Sequence, residues 1–193
     1  TKFKSNKFSS NLSIYRIDGK NELAYDSDNF VNINMNSTRR LGFEASTQYE
    51  YSKKITLTNN FTFAKANYTS GNQGEYAKDF NNNEVPLVPP FSLDSSVDFR
   101  ISNNTRLLTS IKFQDKMRME SDDENFQPKI PSYFTADTSL NSNIGGFEIN
   151  FLIKNIFDER YYNYAVASSS TYKTYNAYPL PRREIILGIS KSF

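Results

Sequence analysis

The stretch Phe91-Ser92-Leu93-Asp94-Ser95-Ser96-Val97-Asp98-Phe99-Arg100-Ile101 decides the fold. Its odd positions carry Phe91, Leu93, Ser95, Val97, Phe99 and Ile101; its even positions carry Ser92, Asp94, Ser96, Asp98 and Arg100. That is the period of a β-strand whose two faces meet different surroundings, and no helical period fits it. The same alternation continues on both sides. Towards the C-terminus, Leu107, Thr109, Ile111, Phe113, Met117 and Met119 oppose Arg106, Ser110, Lys112, Gln114, Lys116, Arg118 and Glu120. Phe147, Ile149, Phe151 and Ile153 oppose Glu148, Asn150, Leu152 and Lys154, and Ile185, Leu187, Ile189 and Phe193 oppose Glu184, Ile186, Gly188, Ser190 and Ser192. Towards the N-terminus, Leu41, Phe43, Ala45, Tyr49 and Tyr51 oppose Arg40, Gly42, Glu44, Ser46, Gln48 and Glu50, and Ile55, Leu57, Phe61 and Phe63 oppose Thr56, Thr58, Asn60, Thr62 and Ala64. Phe8 to Ile17 and Phe134 to Ile144 alternate more loosely. The reading is an all-β chain of about eight strands, several longer than the usual five or six residues.

The connections alternate as well. Short ones are expected at Ser52-Lys53-Lys54, Ser102-Asn103-Asn104 and Gly145-Gly146, with Asn and Gly supplying the positive φ angles of tight hairpins. Long ones run from Gly19 to Ser37, Ser70 to Pro90, Ser121 to Ser132 and Asp158 to Pro181. Short turns on one rim and long loops on the other describe an antiparallel up-and-down meander, the asymmetry of an outer-membrane β-barrel.

Composition removes several function classes. The 193 residues include no Cys and no His, which excludes disulfides, Cys/His zinc sites and Cys or His nucleophiles. With 23 Lys+Arg against 21 Asp+Glu, the net charge of +2 argues against a nucleic-acid partner. The carboxylates are scattered, with no spacing that would hold an acid/base pair, and Gly71-Asn72-Gln73-Gly74 opens no helix as a phosphate loop would. No enzyme activity, metal or cofactor is expected. No apolar run approaches the roughly 18 residues of a membrane helix, a limit that does not touch barrels, whose strands are apolar on one face only. The start, Thr1-Lys2-Phe3-Lys4, has neither an initiator Met nor a secretory leader and reads as a mature or truncated start.

Period alone does not say which face is inside. A soluble lipocalin-like barrel would turn the apolar face inward around a ligand, and a membrane barrel would turn it to lipid. The polar face carries Arg40, Glu44, Glu50, Asp94, Asp98, Arg100, Lys112, Glu148, Lys154 and Glu184, which suits a wide wet lumen, and the 13 Tyr and 16 Phe gather towards strand ends like interfacial girdles. A stand-alone membrane barrel of about eight strands is the other alternative, although its narrow interior would have to pair all those charges.

The C-terminal segment then adds motifs. Asn155-Ile156-Phe157-Asp158-Glu159-Arg160-Tyr161-Tyr162, Tyr178-Pro179-Leu180-Pro181-Arg182-Arg183 and the ending Gly188-Ile189-Ser190-Lys191-Ser192-Phe193 resemble the end of TonB-dependent outer-membrane receptors. The family pattern has an N-[IL]-F-D-x-x-Y-Y block in the penultimate strand, a Y-x-x-P-x-R lead-in to the last strand and a terminal Phe. Asn36-Ser37-Thr38-Arg39-Arg40-Leu41-Gly42-Phe43-Glu44 and Val88-Pro89-Pro90-Phe91-Ser92-Leu93 are similar to two further strand starts of that family. Two residues before the last, where the family usually has an aromatic, stands Lys191.

The resemblance implies that residues 1–193 are the C-terminal portion of a barrel of about 22 strands, without the plug domain that precedes it. It implies an integral place in the outer membrane of a Gram-negative bacterium, and import of a scarce nutrient, most often a ferric siderophore and otherwise haem or cobalamin. The implied partners are outer-membrane lipid, the TonB complex acting through the plug, the barrel-assembly machinery and a metal-chelate ligand. Gly188 and Phe193 would belong to the assembly signal. Tyr161, Tyr162, Tyr164, Tyr172, Tyr175 and Tyr178 could line the outer mouth and stack on such a ligand, or could serve as interfacial girdle and loop packing. Asp79, Glu84, Asp122, Asp123 and Glu124 match no calcium-loop spacing and are expected to form a solvated rim.

Overall fold

The computed structural model describes residues 1–21, 23–26, 31–34, 37–70, 79–168 and 170–191. Among the described residues thirteen strands are formed: β1 (Lys2–Lys4), β2 (Phe8–Gly19), β3 (Leu23–Asp26), β4 (Val31–Asn34), β5 (Thr38–Ser52), β6 (Ile55–Tyr68), β7 (Phe91–Arg100), β8 (Thr105–Gln114), β9 (Tyr133–Ile144), β10 (Phe147–Lys154), β11 (Tyr162–Ala167), β12 (Tyr175–Pro179) and β13 (Glu184–Lys191). Nine of them make one antiparallel sheet in the order β1-β2-β5-β6-β7-β8-β9-β10-β13, while β3-β4 and β11-β12 are hairpins inside two of the long loops. The eight long strands expected from alternation are all present, and β1 adds a short ninth. The sheet is open: β1 and β13 are its two edges and do not pair with each other, unlike a closed eight-stranded barrel.

Register follows the alternation. Phe43 faces Phe63, which faces Phe91, while Asn60 faces Asp94 and Asp94 faces Lys112. Every apolar set therefore falls on one surface and every charged set on the other, because a slip of one residue would exchange the faces. The apolar surface is exposed to an extent no watery surface favours: Ile14 is 84% exposed, Ile189 64% and Leu187 62%. Its few polar side chains satisfy one another, with Ser95 donating to Asn59 at 2.6 Å and the Thr109 and Thr138 hydroxyls 3.0 Å apart. Hydrocarbon would impose that pairing, since it offers no water to an unpaired polar group. Ten-residue strands such as β7 and β8 rise about 34 Å and, tilted by about 40°, cross about 25 Å, the height of the apolar band of a membrane barrel.

A row of phenylalanines marks one border of that band. Phe43 and Phe63 have ring centroids 6.4 Å apart, Phe63 and Phe91 4.6 Å, Phe91 and Phe113 5.8 Å, and Phe134 and Phe157 5.7 Å. All four long connections leave from this rim.

Three expectations are corrected. At the opposite rim Gly145 and Gly146 do adopt positive φ, at 58° and 79°, but neither Asn103, Asn104 nor Lys53 does. There the Ser102 hydroxyl accepts the Asn104 amide and the Ser52 hydroxyl the Lys54 amide, each at 3.2 Å, so serine stands in for the turn carbonyl. The strand expected over Leu107 to Glu120 stops at Gln114. Met117 and Met119 keep the alternating period but turn inwards, burying with Ile130, Ala165 and Ala167 in a small core that Tyr162 packs against. Thirdly, the Asn155 to Tyr162 block follows β10 rather than lying in it. Gly71 to Gly74 and the terminal Phe193 lie outside the described residues.

Candidate functional site

The charged faces of β6 to β10 and β13 line a concavity of about 480 Å³, with Asn60, Asp94, Lys112, Asp137, Lys154 and Glu184 on its walls and Tyr161 and Arg182 at its outer lip. Lys154 meets Glu184 at 3.6 Å across the β10–β13 pair. Because these side chains alternate with the apolar ones, the polar surface is the inner one, as a wet lumen requires and a lipocalin reverses. Nearer the short turns, the Asp98 carboxylate takes both prongs of Arg106, directly beyond Arg100.

Above the concavity the long loops are tied together by buried polar groups. Arg118 donates to Glu84 Oε2 at 2.9 Å, to the Asn125 carbonyl at 3.0 Å and to the Gln127 carbonyl at 2.9 Å, and lies 3.4 Å from Asp122. Lys129 Nζ reaches the other oxygen of Glu84 at 2.7 Å. The Asp122 carboxylate accepts the amides of Phe126 and Gln127 at 2.7 and 2.9 Å. Gln127 in turn donates to the carbonyls of Ser168 and Thr171 at 2.6 and 2.7 Å and accepts the Lys173 amide at 2.8 Å. Three loops, after β6, after β8 and after β10, are thereby joined.

The expectation of a solvated acidic rim holds for Asp79 and Glu124, which are exposed, and is corrected for Asp122, with Glu84 and Asp123 half-buried. Asp122 is 3% exposed, and burial pushes its carboxyl above the usual range against the pull of the Gln127 amide and Arg118. Burial also acts to raise Glu84, but the hydrogen bonds from Lys129 and Arg118 outweigh it and hold the group below its usual range. Tyr68 donates to Asp123. Among the described residues no group of three or more Asp or Glu is placed to hold a metal ion.

The six tyrosines of the last loop do not share one surface. Tyr161 stacks on the buried Tyr133 at 4.6 Å and lines the concavity. A bulge in the β11–β12 pairing sets Tyr162 on the face of Ala165 and Ala167, against the buried methionines, with Tyr175 6.4 Å away. Burial and the hydrogen bond with Tyr175 push the Tyr162 phenol up to about 12. Tyr164 stacks on Tyr178 at 5.2 Å and donates to Glu120, whose backbone bridges Val166 and docks the hairpin on the loop after β8. Tyr172 packs on Phe126 at 5.3 Å. Of the six, Tyr161 is thus the one on the inner wall, while Tyr162 and Tyr164 hold the hairpin in place.

A second staple closes that loop at its base. Asn155, at φ 47°, donates from Nδ2 to the carbonyls of Glu159 and Pro181 at 2.9 and 3.3 Å and accepts the Glu159 amide at 2.9 Å. Its own amide donates to Asp137 at 2.8 Å. Asp158 accepts Arg182 Nε at 2.8 Å, a second prong from the same guanidinium, and the Arg183 amide at 3.1 Å. The Arg182 hydrogen bond, seconded by the Arg183 amide, holds the Asp158 carboxyl down at about 2. Gly188 lies opposite Asn150, where a Cβ would make an ordinary 3.8 Å contact.

The motifs that carry the family resemblance contain the staple residues Asn155, Asp158 and Arg182, but not Arg118, Gln127 or Tyr133. A half-buried guanidinium hub has no local pattern; the one usable hint is that Met117 and Met119 carry the apolar period past the strand.

No curated protein matches the chain significantly. Solved structures do. The siderophore receptor PiuA from Acinetobacter baumannii superposes with a TM-score of 0.76 at 19% identity, over 97% of this chain and 26% of that one. The ferric yersiniabactin uptake receptor FyuA from Yersinia pestis does so with a TM-score of 0.78 at 17% identity, over 95% of this chain and 27% of that one. The copper transporter OprC reaches 0.76 at 11% identity, over 100% of this chain and 30% of that one. The chain thus spans less than a third of each, and at these identities the likeness is one of fold. The family profile described as TonB dependent receptor-like, beta-barrel, matches residues 1–156, and the chain belongs to that family.

Proposed function

We propose that the chain is wall and outer loops of a receptor that imports a scarce nutrient across the outer membrane of a Gram-negative bacterium, a ferric siderophore before haem or cobalamin. Receptors of this family are outer-membrane transport proteins rather than enzymes. The observation that carries the reading is the clasp around Arg118, which holds three long loops together above a polar concavity. A transporter needs its loops poised over a wet path, and a merely structural wall does not. Tyr161, braced by the buried Tyr133, would offer an aromatic face to a flat chelate, and Lys112 would offer positive charge to an anionic one. The energised TonB complex would act through a plug domain of the receptor, outer-membrane lipid would surround the apolar face, and the barrel-assembly machinery would read a C-terminal signal that includes Gly188 and Phe193.

The test is uptake by cells with the gene deleted, fed ferric siderophores, haem, cobalamin or copper salts one at a time under depletion. Loss of uptake of a ferric siderophore, restored by the intact gene and abolished when TonB is absent, is the expected result. Undiminished iron uptake together with a loss for cobalamin, haem or copper would overturn the ligand class and leave the transport reading standing.

A further inference from the structure

The short-turn rim holds a second concavity, of about 650 Å³, between the β7–β8 and β9–β10 turns. Every residue lining it is polar or charged, and Asn103, Asn104, Asn141 and Asn143 stand between Arg100 on β7 and Glu148 on β10. Arg106 faces Asn141, and Asn143 faces Glu148, so alternation sets these side chains on the inner surface. Arg100 pairs across the ladder with Arg106, and two cations directly opposite one another destabilise a sheet. Asp98 answers Arg106 with both oxygens. Among the described residues the Arg100 guanidinium makes no hydrogen bond and no salt bridge, and neither does the Glu148 carboxylate. Their backbones lie three strand spacings apart, about 14 Å, and neither neutralises the other directly. The neighbouring turns on the same rim, 5–7 and 53–54, add Lys7, Lys53 and Lys54 and no carboxylate.

We propose that this rim binds the anionic glycopeptide of the cell wall, with a stem-peptide carboxylate on Arg100, the free ammonium of the same stem on Glu148 and acetamido groups on the asparagines. The inference rests on the membrane reading above, with the short turns towards the periplasm. A cation and an anion that both lack a partner in one cavity fit a ligand that carries a carboxylate and an ammonium together. A folded protein docks on aromatic and apolar anchors, and this concavity has none. Its side-chain amides match a ligand dense in amides and hydroxyls, directly or through bridging water. The lysines of the neighbouring turns meet further carboxylates of a polymer that runs along the rim, a contribution that salt screens.

The experiment uses the full receptor in phosphatidylcholine discs, titrated calorimetrically with a disaccharide-tetrapeptide that contains diaminopimelate, with the same compound acetylated on its free amine, and with the uncharged N-acetylglucosamine tetramer. R100Q lowers affinity for the disaccharide-tetrapeptide about tenfold, the range of one charge-assisted contact. Because it also relieves the repulsion with Arg106, the variant unfolds no more readily than the parent, and its loss of binding is not a loss of fold. E148Q weakens the amine-bearing compound about fivefold and leaves the acetylated one unchanged. K53Q/K54Q costs about threefold at low salt and nothing at high salt. The uncharged tetramer does not bind. Unchanged affinity in R100Q, or an E148Q loss that is equal for both compounds, overturns the site. Displacement by polyglutamate at equal carboxylate concentration overturns it too, and makes the rim a docking face for acidic protein segments. Failure of the receptor to enter the discs at all would instead sink the membrane reading, and the site with it.

Discussion

Arg118 and Glu84, 34 residues apart, meet at 2.9 Å and thereby join the loop after β6 to the loop after β8. The same guanidinium faces Asp122, whose side chain is 1% exposed, and two backbone carbonyls. Removing it strands a buried carboxylate and two acceptors. Arg118→Ala therefore loosens the outer loops by about 3 kcal/mol without opening the wall, whose ladder it does not touch. Protease should cut the 121–132 and 158–181 segments at far lower doses, while the β-sheet circular dichroism and the heat-modifiable gel shift persist. Loops as resistant as in the parent would show that the hub is not what holds them.

The two buried or bonded aspartates respond to acid in opposite directions. Asp158 is held at about 2 by Arg182, below its ordinary 3.8, so its contribution is complete above about pH 4 and fades as pH falls towards 2. Asp122 is raised by burial, so protonation relieves rather than removes a favourable state; Glu84, held down by Lys129 and Arg118, works the other way, so the Asp122 effect is read in a Glu84→Gln background, where that loss with acid is already gone. In that background pepsin, which works in this window, should open the base of the 158–181 loop as pH falls from 4 to 2 and leave the 121–132 loop no more open at pH 2 than at pH 4. Asp158→Asn should be cut to the same extent at both pH values. Simultaneous opening of both loops would contradict the assignment.

The wall was legible because its signal is local and repeated: Phe91 to Arg100 states its own strand and the split of its side chains between two faces in ten residues, while which face turns inward needed the curvature of the whole sheet. The outer rim was not. Met117 and Met119 keep a strand's period while β8 has already ended, since a buried core beneath a loop rewards the same alternation as lipid does. Asp122 reads as one more rim acid, because its partner Arg118 and the amides of Phe126 and Gln127 become neighbours only once the loop has turned. The tyrosines stand out in the sequence by type alone, and the bulge between Tyr162 and Ala165 that sends Tyr162 inwards has no signature there.

A closer packing relation sits in the wall itself. Tyr15 lies opposite Gly42, and a Cβ on Gly42 would fall 2.2 Å from the Tyr15 ring. The ring lies over bare backbone, the way aromatics cover glycines in sheets. Gly42→Ala should cost about 1–3 kcal/mol by displacing the ring. In a Tyr15→Ala background the same change should be close to neutral, and unfolding in urea from lipid vesicles measures the difference. Equal costs in both backgrounds would mean that the ring and the glycine are uncoupled.

Tyr161 and Tyr172 separate inner wall from outer loop. Tyr161 lines the concavity and stacks on the buried Tyr133 behind it, whereas Tyr172 packs on Phe126 at the loop surface and is 55% exposed. If the aromatic face of the inner wall holds the imported chelate, Tyr161→Ala weakens its binding to the receptor about tenfold, in the range of one stacking contact, while Tyr172→Ala changes it less than twofold. Fluorescence quenching by the iron complex on whole cells reads both. A larger loss from Tyr172→Ala would move the ligand outwards onto the loops.

Ser96 and Val97 are neighbours in β7 with opposite faces: Ser96 pairs with Thr58 and Ser110 on the inner side, Val97 with Leu57 and Thr109 on the outer. An arginine placed on the lipid side near mid-membrane costs about 2–4 kcal/mol, whereas a lumen position hydrates it. Val97→Arg should therefore lower stability by that amount in a phospholipid bilayer, and Ser96→Arg should change it by less than about 1 kcal/mol. In a soluble barrel with an apolar interior Val97→Arg would also be costly, so that result alone decides nothing. What separates the two is thickness: the Val97→Arg penalty should shrink when the bilayer is made thinner and the guanidinium reaches an interface, and a soluble barrel would show no such dependence.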